Sequence, residues 1–231
     1  PYEFLIQNLR IQNNLIESAL NNDVKKFIFI GTSSMYPRNC PQPLKEEYLL
    51  TGEFEPTNEA YSIAKVAGLK LCEAISKQFG KNFITLMPSN LYGTNDHFDL
   101  ENSHVIQALI MKFHNAKIKS EKVILWGSGK PLREFTYVDD FANSLLFALE
   151  KDISGYYNVG NGVEISIKEL SKIISKIVGF KGDVEWDKSK PDGIPRKLMD
   201  STKFKSLGWQ SKISIQEGIS LTYDWFKQVI K

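Results

Sequence analysis

Lys26-Phe-Ile-Phe-Ile-Gly31-Thr-Ser-Ser-Met-Tyr-Pro37 is the stretch that decides the fold. A short apolar run ends at a glycine and is followed by a cluster of hydroxyls. Apolar runs punctuated in this way are how strands buried on both faces of a parallel sheet read. Hydroxyls at such a strand's C-terminal end stand where open α/β sheets place their chemistry. Upstream, residues 4–20 carry Leu5, Leu9, Ile11, Leu15, Ile16, Ala19 and Leu20 at helical spacing. Downstream the alternation continues. A helix is expected over 61–79, with Gly80 at its C-terminal stop, then a strand over Phe83–Met87 closed by Pro88. Further helices are expected over 103–116 with Ser103 as N-cap, 137–150 with Asp139 and Asp140 capping it, 166–178 and 213–230. Strands are expected at Val123–Trp126 and Tyr156–Val159, and a turn at Lys190-Pro-Asp-Gly193. This pattern is α/β with a mostly parallel sheet, turning helix-rich and loopier after about residue 165. The sequence opens on a helix that the alternation would precede with a strand, so an N-terminal piece is expected beyond it.

Composition sets outer limits. The chain has 231 residues, 42% hydrophobic and 24% charged, with a net charge of +2. A balance this even gives no electrostatic case for nucleic acid. No apolar run approaches a membrane span of ~18–20 residues. Cys40 and Cys72 fit neither a disulfide framework nor a zinc pattern, and His97, His104 and His114 are poorly spaced for a metal. A reduced, cytoplasmic protein without metal is the expectation.

Dinucleotide-binding sheets carry Gly-x-Gly-x-x-Gly after their first strand. No such motif occurs here; Gly127-Ser-Gly129 and Gly160-Asn-Gly162 lack the third glycine and read as turns. Tyr61-Ser-Ile-Ala-Lys65 puts a phenol and an ammonium at i and i+4 on one helical face. A neighbouring cation lowers a phenol's pKa and makes it a usable acid near neutrality. The pair alone decides nothing: with 9 tyrosines in a lysine-rich chain, roughly one such match arises by chance. Tyr223 and Lys227 are a second match, read as packing because Trp225 and Phe226 lie between them.

Longer motifs narrow the reading. Gly31-Thr-Ser-Ser-Met-Tyr-Pro37, Glu55-Pro-Thr-Asn-Glu-Ala-Tyr-Ser-Ile-Ala-Lys65 and Met87-Pro-Ser-Asn-Leu-Tyr-Gly93 resemble the extended short-chain dehydrogenase/reductases, and more narrowly the GDP-L-fucose synthase family. Asn102-Ser-His-Val-Ile106, Trp126-Gly-Ser-Gly129, Arg133-Glu-Phe-Thr-Tyr-Val-Asp-Asp140 and Lys190-Pro-Asp-Gly-Ile-Pro-Arg-Lys197 continue the match in the family's order. The resemblance implies a Rossmann-like doubly wound parallel sheet, its first strands and glycine loop outside this sequence, and a smaller C-terminal substrate lobe. Residues 1–165 would be the NADP-binding remainder with interleaved lobe segments, and 166–231 mainly the lobe.

It also implies roles. Thr32 would orient a carbonyl, Tyr61 would protonate it, and Lys65 would tune the tyrosine and hold the nicotinamide ribose. Gly31, Pro88, Ser89, Asn90, Leu91 and His104 would line NADP(H). Asn90, Lys112, Trp126, Arg133 and Asp192 would hold a GDP-sugar. In the bifunctional members a cysteine and a histidine exchange protons at C3 and C5. His104 matches the histidine, but Ser34 stands where the cysteine belongs, and a serine hydroxyl is a far poorer base than a thiolate. The expected activity is therefore C4 reduction of a GDP-4-keto-6-deoxy-sugar, hexose or heptose, by a homodimer joined through helices 4–20 and 61–79. The alternatives are a bifunctional 3,5-epimerase/4-reductase and a non-catalytic fragment that binds GDP-sugar or dimerises.

Overall fold

In the computed structural model residues 1–99 and 103–230 are described. The elements in chain order are α1 (Tyr2–Asn21), β1 (Lys26–Ile30), α2 (Glu59–Phe79), β2 (Asn82–Pro88), β3 (Asn90–Tyr92), α3 (Val105–Lys119), β4 (Val123–Trp126), β5 (Leu132–Tyr137), α4 (Val138–Glu150), β6 (Tyr156–Val159), β7 (Glu164–Ser166), α5 (Ile167–Val178), β8 (Val184–Asp187), β9 (Arg196–Lys197), α6 (Thr202–Lys205) and α7 (Ile215–Val229). They form two units. The first holds residues 1–89, 141–162 and 199–210, the second 90–140, 163–198 and 211–231. The chain passes between them after residues 89, 140, 162, 198 and 210.

The first unit is built on a parallel sheet ordered β1-β2-β6. β1 runs beside β2 from Lys26 opposite Asn82 to Ile30 opposite Leu86, and β2 beside β6 from Thr85 opposite Tyr156. Parallel neighbours need a crossover, and α2 provides it between β1 and β2. Ile16 and Ala19 of α1, Cys72 and Ile75 of α2, Phe29 and Phe83 form one buried core. Gln12 of α1 donates to the Ala64 carbonyl of α2 at 2.7 Å. Gly68 lets α2 close onto the sheet: a Cβ there would lie 2.4 Å from Phe29 Cζ. Gly80 ends α2 in the left-handed conformation, φ +66°, as its position predicts. The Lys26 ammonium caps the far end of α4 by donating to the carbonyls of Ala148, Leu149 and Lys151.

The second unit centres on β5, which pairs in parallel with β3 and β9 and antiparallel with β7, while β4 and β8 form a separate parallel pair. α3, α5 and α7 close over a core of Tyr92, Ile106, Ile110, Phe113, Leu170, Ile174, Ile219 and Phe226. Ser166 starts α5 with a reciprocal capping box to Glu169.

Two expected caps are corrected. His104, not Ser103, is the N-cap of α3, without a side-chain bond; the Ser103 hydroxyl instead donates to the His97 carbonyl at 2.8 Å. Asp140 does not cap its own helix. It is buried and accepts from the Ser211 hydroxyl at 2.6 Å and from the Lys212 and Ile213 amides, fastening the segment before α7. Asn102 of the quoted motif lies outside the described residues. Among the described residues no helix is long and apolar enough to cross a membrane, and no cluster of His, Cys, Asp or Glu could hold a metal.

Candidate active site

In the first unit the chain leaves β1 at Gly31, whose amide donates to the Leu86 carbonyl at 2.8 Å. A Cβ at Gly31 would meet Met87 Cγ at 2.8 Å and Met35 Sδ at 3.0 Å, so only glycine passes beneath these side chains. Thr32 follows in extended conformation and caps the short helical turn Ser33–Met35, its Oγ1 accepting the Ser34 amide at 3.3 Å. Tyr61, in the first turn of α2, stands next to Thr32, whose side chain favours the ionised form of the phenol. Its ring meets Phe4 edge-on, centroids 5.5 Å apart. Lys65, one turn on, donates to the Ile30 carbonyl at 3.0 Å and lies 4.9 Å from the Phe29 ring centroid and 5.8 Å from that of Tyr61.

The electrostatics differ from the expectation drawn from the i,i+4 spacing. Burial pushes the Tyr61 phenol above its ordinary range, and the neighbouring Thr32 side chain opposes that only in part. Burial also pulls the Lys65 ammonium below its ordinary value. The lysine is turned toward the Ile30 carbonyl, so loss of water outweighs any help it gives the phenolate. Tyr61 therefore holds its proton at neutral pH, which is the form an acid must be in to donate one.

Ser34 stands two residues beyond Thr32. Its carbonyl accepts from the Ser62 hydroxyl at 2.7 Å, and its own hydroxyl has no hydrogen bond among the described residues. Pro88 ends β2 opposite Val159, and Ser89 is buried with its amide on the Val159 carbonyl at 3.0 Å. Below them Asn158 is fully buried. It accepts from the Tyr36 hydroxyl at 2.6 Å and donates to the carbonyls of Leu44 at 2.8 Å and Asp200 at 3.1 Å. Sequence reading missed this support. Its one signal is a lone polar residue inside the strand Tyr-Tyr-Asn-Val.

The other candidates lie in the second unit. Asn90 opens β3 and donates to the Glu134 carbonyl at 2.8 Å; Leu91 faces Thr136 across the sheet; His104 is exposed at the start of α3. Trp126 is 65% exposed at the end of β4. Two ammonium groups approach its ring, Lys112 at 5.2 Å and Lys190 at 5.5 Å from the centroid. Lys112 also donates to the Ile124 carbonyl at 3.2 Å, and burial lowers its pKa. Asp192 turns both carboxylate oxygens to Ser128, accepting from its amide and from its hydroxyl at 2.6 Å each, and these bonds hold it below the usual carboxylate range. Arg133 is half-buried and donates to the Leu132 carbonyl at 2.8 Å; no carboxylate pairs with it among the described residues. Lys197 sits beside it in parallel register, so both side chains leave the same face.

Lys190 and Lys197 were not candidates from sequence. Their neighbours come from strand pairing: β8 sets Asp187 opposite Trp126, three residues before Lys190, and β9 sets Lys197 opposite Arg133. Four cations on one unit, three of them beside exposed or half-buried candidates and none of Lys112, Lys190 and Arg133 in an ion pair among the described residues, suit a polyanion. Tyr223 and Lys227 pack as expected. Tyr223 bonds His114 at 3.1 Å, and Lys227 lies 5.0 Å over its ring.

The family model for the NAD dependent epimerase/dehydratase family matches residues 1–160. "GDP-L-fucose synthase 1" of Arabidopsis thaliana is 51% identical over 229 residues, 98% of this chain and 71% of that protein. Two solved structures from Campylobacter jejuni are each 37% identical and cover 98% of this chain and 77% of theirs. One is a GDP-6-OMe-4-keto-L-xylo-heptose reductase, with a TM-score of 0.90. The other is a GDP-mannoheptose C4 reductase with NADP bound, with a TM-score of 0.88.

Proposed function

The chain belongs to the NAD dependent epimerase/dehydratase family and, within it, to the GDP-L-fucose synthase family, and from that premise we propose that it reduces the C4 carbonyl of a GDP-4-keto-6-deoxy-sugar, hexose or heptose. The observation that carries the reading is the grouping of Thr32 at the end of β1 with Tyr61 and Lys65 at the start of α2, the phenol held protonated by burial.

The residues present fit a nicotinamide nucleotide. Lys65 has three donor hydrogens and uses them on one backbone carbonyl, Ile30, which leaves donors for a ribose diol. NADPH, when bound, supplies the hydride for C4. The chain's own residues manage the proton. Thr32 shares a hydrogen bond with the carbonyl oxygen and orients it. Tyr61 donates its proton to that oxygen as the charge develops, yielding the hydroxyl. Lys65 then lies one helical turn from a phenolate, where its charge steadies the ionised product form. In the first unit Gly31, Pro88 and Ser89 would hold the nicotinamide; Asn90, Leu91 and His104, its other expected contacts, belong to the second unit. In the second unit Lys112, Lys190, Arg133 and Lys197 take the GDP diphosphate, where charge-assisted bonds are strongest.

Ser34 argues against epimerisation: its hydroxyl is bonded to no base among the described residues. A homodimer is part of the proposal. α1 exposes Phe4, Ile11 and Leu15, and α2 exposes Ile63 and Phe79, an apolar face of the kind that partner subunits cover. The setting is cytoplasmic.

The test supplies the full-length protein with NADPH and GDP-4-keto-6-deoxy-mannose in D2O, and weighs the product after return to H2O. NADPH oxidation without retained deuterium is expected. Two retained deuterons would establish the bifunctional alternative. Failure to oxidise NADPH with either hexose or heptose substrate would leave the non-catalytic reading.

A further inference from the structure

Glycines 127 and 129 lie at φ +78° and +72°, and each is pressed by a neighbour. A Cβ at Gly127 would lie 2.3 Å from Asp192 Oδ1, and one at Gly129 would lie 2.6 Å from the Trp186 ring. The loop after β4 therefore closes directly onto the loop after β8. The Gly127 amide donates to the Asp187 carbonyl at 2.9 Å, and one carboxylate makes the side-chain closure. Asp192 accepts from the Ser128 amide and hydroxyl, and the same hydroxyl accepts the Lys130 amide at 3.2 Å. Two residues before Asp192, Lys190 reaches over Trp126. Pro191 lies between them and fixes its own φ, so the position of Asp192 is passed to Lys190 with little slack.

We propose that Ser128 and Asp192 form a latch that positions Lys190 against Trp126. Two like charges gathered at one indole repel each other, and Lys112 is already fixed there by its helix and by the Ile124 carbonyl. Lys190 sits on a loop, its amide held by the Asp187 carbonyl at 3.3 Å, and only the latch restrains the chain beyond it. With the latch closed, the two ammonium groups converge on one exposed indole, where a diphosphate neutralises both. This rests on the reading of the second unit as the GDP-sugar face. Ser128 is a positioning residue and touches no ligand.

The experiment uses the full-length protein and two probes. The first is GDP, titrated by calorimetry, with KM and kcat for the keto-sugar alongside. Lys190→Gln should weaken GDP binding about 10-fold, the scale of one charge-assisted bond. Ser128→Ala should weaken it roughly 3-fold through loss of one latch bond. Both should raise KM and leave kcat alone, and the double variant should be no weaker than Lys190→Gln. The second probe needs no GDP. Iodide quenching of the exposed Trp126, assigned by difference with Trp126→Phe, should fall in both single variants while acrylamide quenching holds. A Ser128→Ala effect that persists in full on the Lys190→Gln background, or iodide quenching unchanged by Ser128→Ala, would overturn the latch. Expected quenching without GDP affinity would instead sink the GDP-sugar reading and leave the latch standing.

Discussion

Gly68→Ala sets two rules against each other. In the interior of a helix this change normally stabilises, by about 1 kcal/mol. Here the new Cβ would stand 2.4, 2.8 and 2.9 Å from three ring carbons of Phe29. That ring cannot swing aside cheaply, because it is buried with Ile16, Ala19, Cys72, Ile75 and Phe83. Overpacking of this kind costs about 1–3 kcal/mol, and with three contacts below 3.0 Å the upper part of the range applies. The net is a loss of about 1–2 kcal/mol, or a fall in Tm of roughly 2–8 °C for a chain of this size. The same ring lies 4.9 Å beneath the Lys65 ammonium, so its displacement should also lower turnover several-fold. The assay is thermal unfolding by circular dichroism, with NADPH oxidation on the same samples. A rise in Tm would mean that α2 stands off the sheet, and would refute the close approach on which the argument rests.

Tyr61→Phe should lower turnover by about 10²–10⁴-fold with substrate binding retained, the range for loss of a general acid. Lys65→Met should abolish most of the activity yet leave Tm at pH 7 no lower than that of the parent. Its ammonium is disfavoured by burial, so its folded pKa lies below its unfolded value of 10.5. The charged lysine thus opposes folding below that folded pKa, and the penalty is relieved as pH rises from the folded value toward the unfolded one. A melting series from pH 7 to 10.5, with and without Lys65→Met, reads this directly; a large loss of Tm at pH 7 would contradict it. Asp140→Ala should cost about 2–3 kcal/mol by orphaning the Lys212 and Ile213 amides and the Ser211 hydroxyl. Urea unfolding measures this, and a change within error would show that water replaces the carboxylate.

The sequence made the long, periodic elements plain. α1, β1, α2 and α5 carry their own signals: a clear hydrophobic period, a glycine stop at Gly80 and a serine cap at Ser166. β5 was missed as a strand because Arg133 and Glu134 break its apolar run, and its identity depends on three partners distant in sequence. β7, β8 and β9 are short and polar for the same reason. The grouping of Thr32, Tyr61 and Lys65 was legible because two local elements, a strand end and a helix start, carry them. The direction of the Tyr61 shift was not, since spacing gives the distance of a charge and not the water lost around the phenol. Nor was the contact between Asp192 and Ser128. The residue was visible in its turn, but its bond to Ser128 exists only because β4 and β8 pair.

Asn158 leaves its position almost no tolerance for its nearest chemical relative. Its amide is used at both ends, oxygen toward Tyr36 and nitrogen toward two carbonyls. Aspartate matches it in size, but its side chain has no hydrogen to give at neutral pH. A negative oxygen would then face the Leu44 and Asp200 carbonyls, directly opposite Met87 in the sheet. An exchange of one amino group for one oxygen would loosen the support under the end of β2 without altering Thr32, Tyr61 or Lys65.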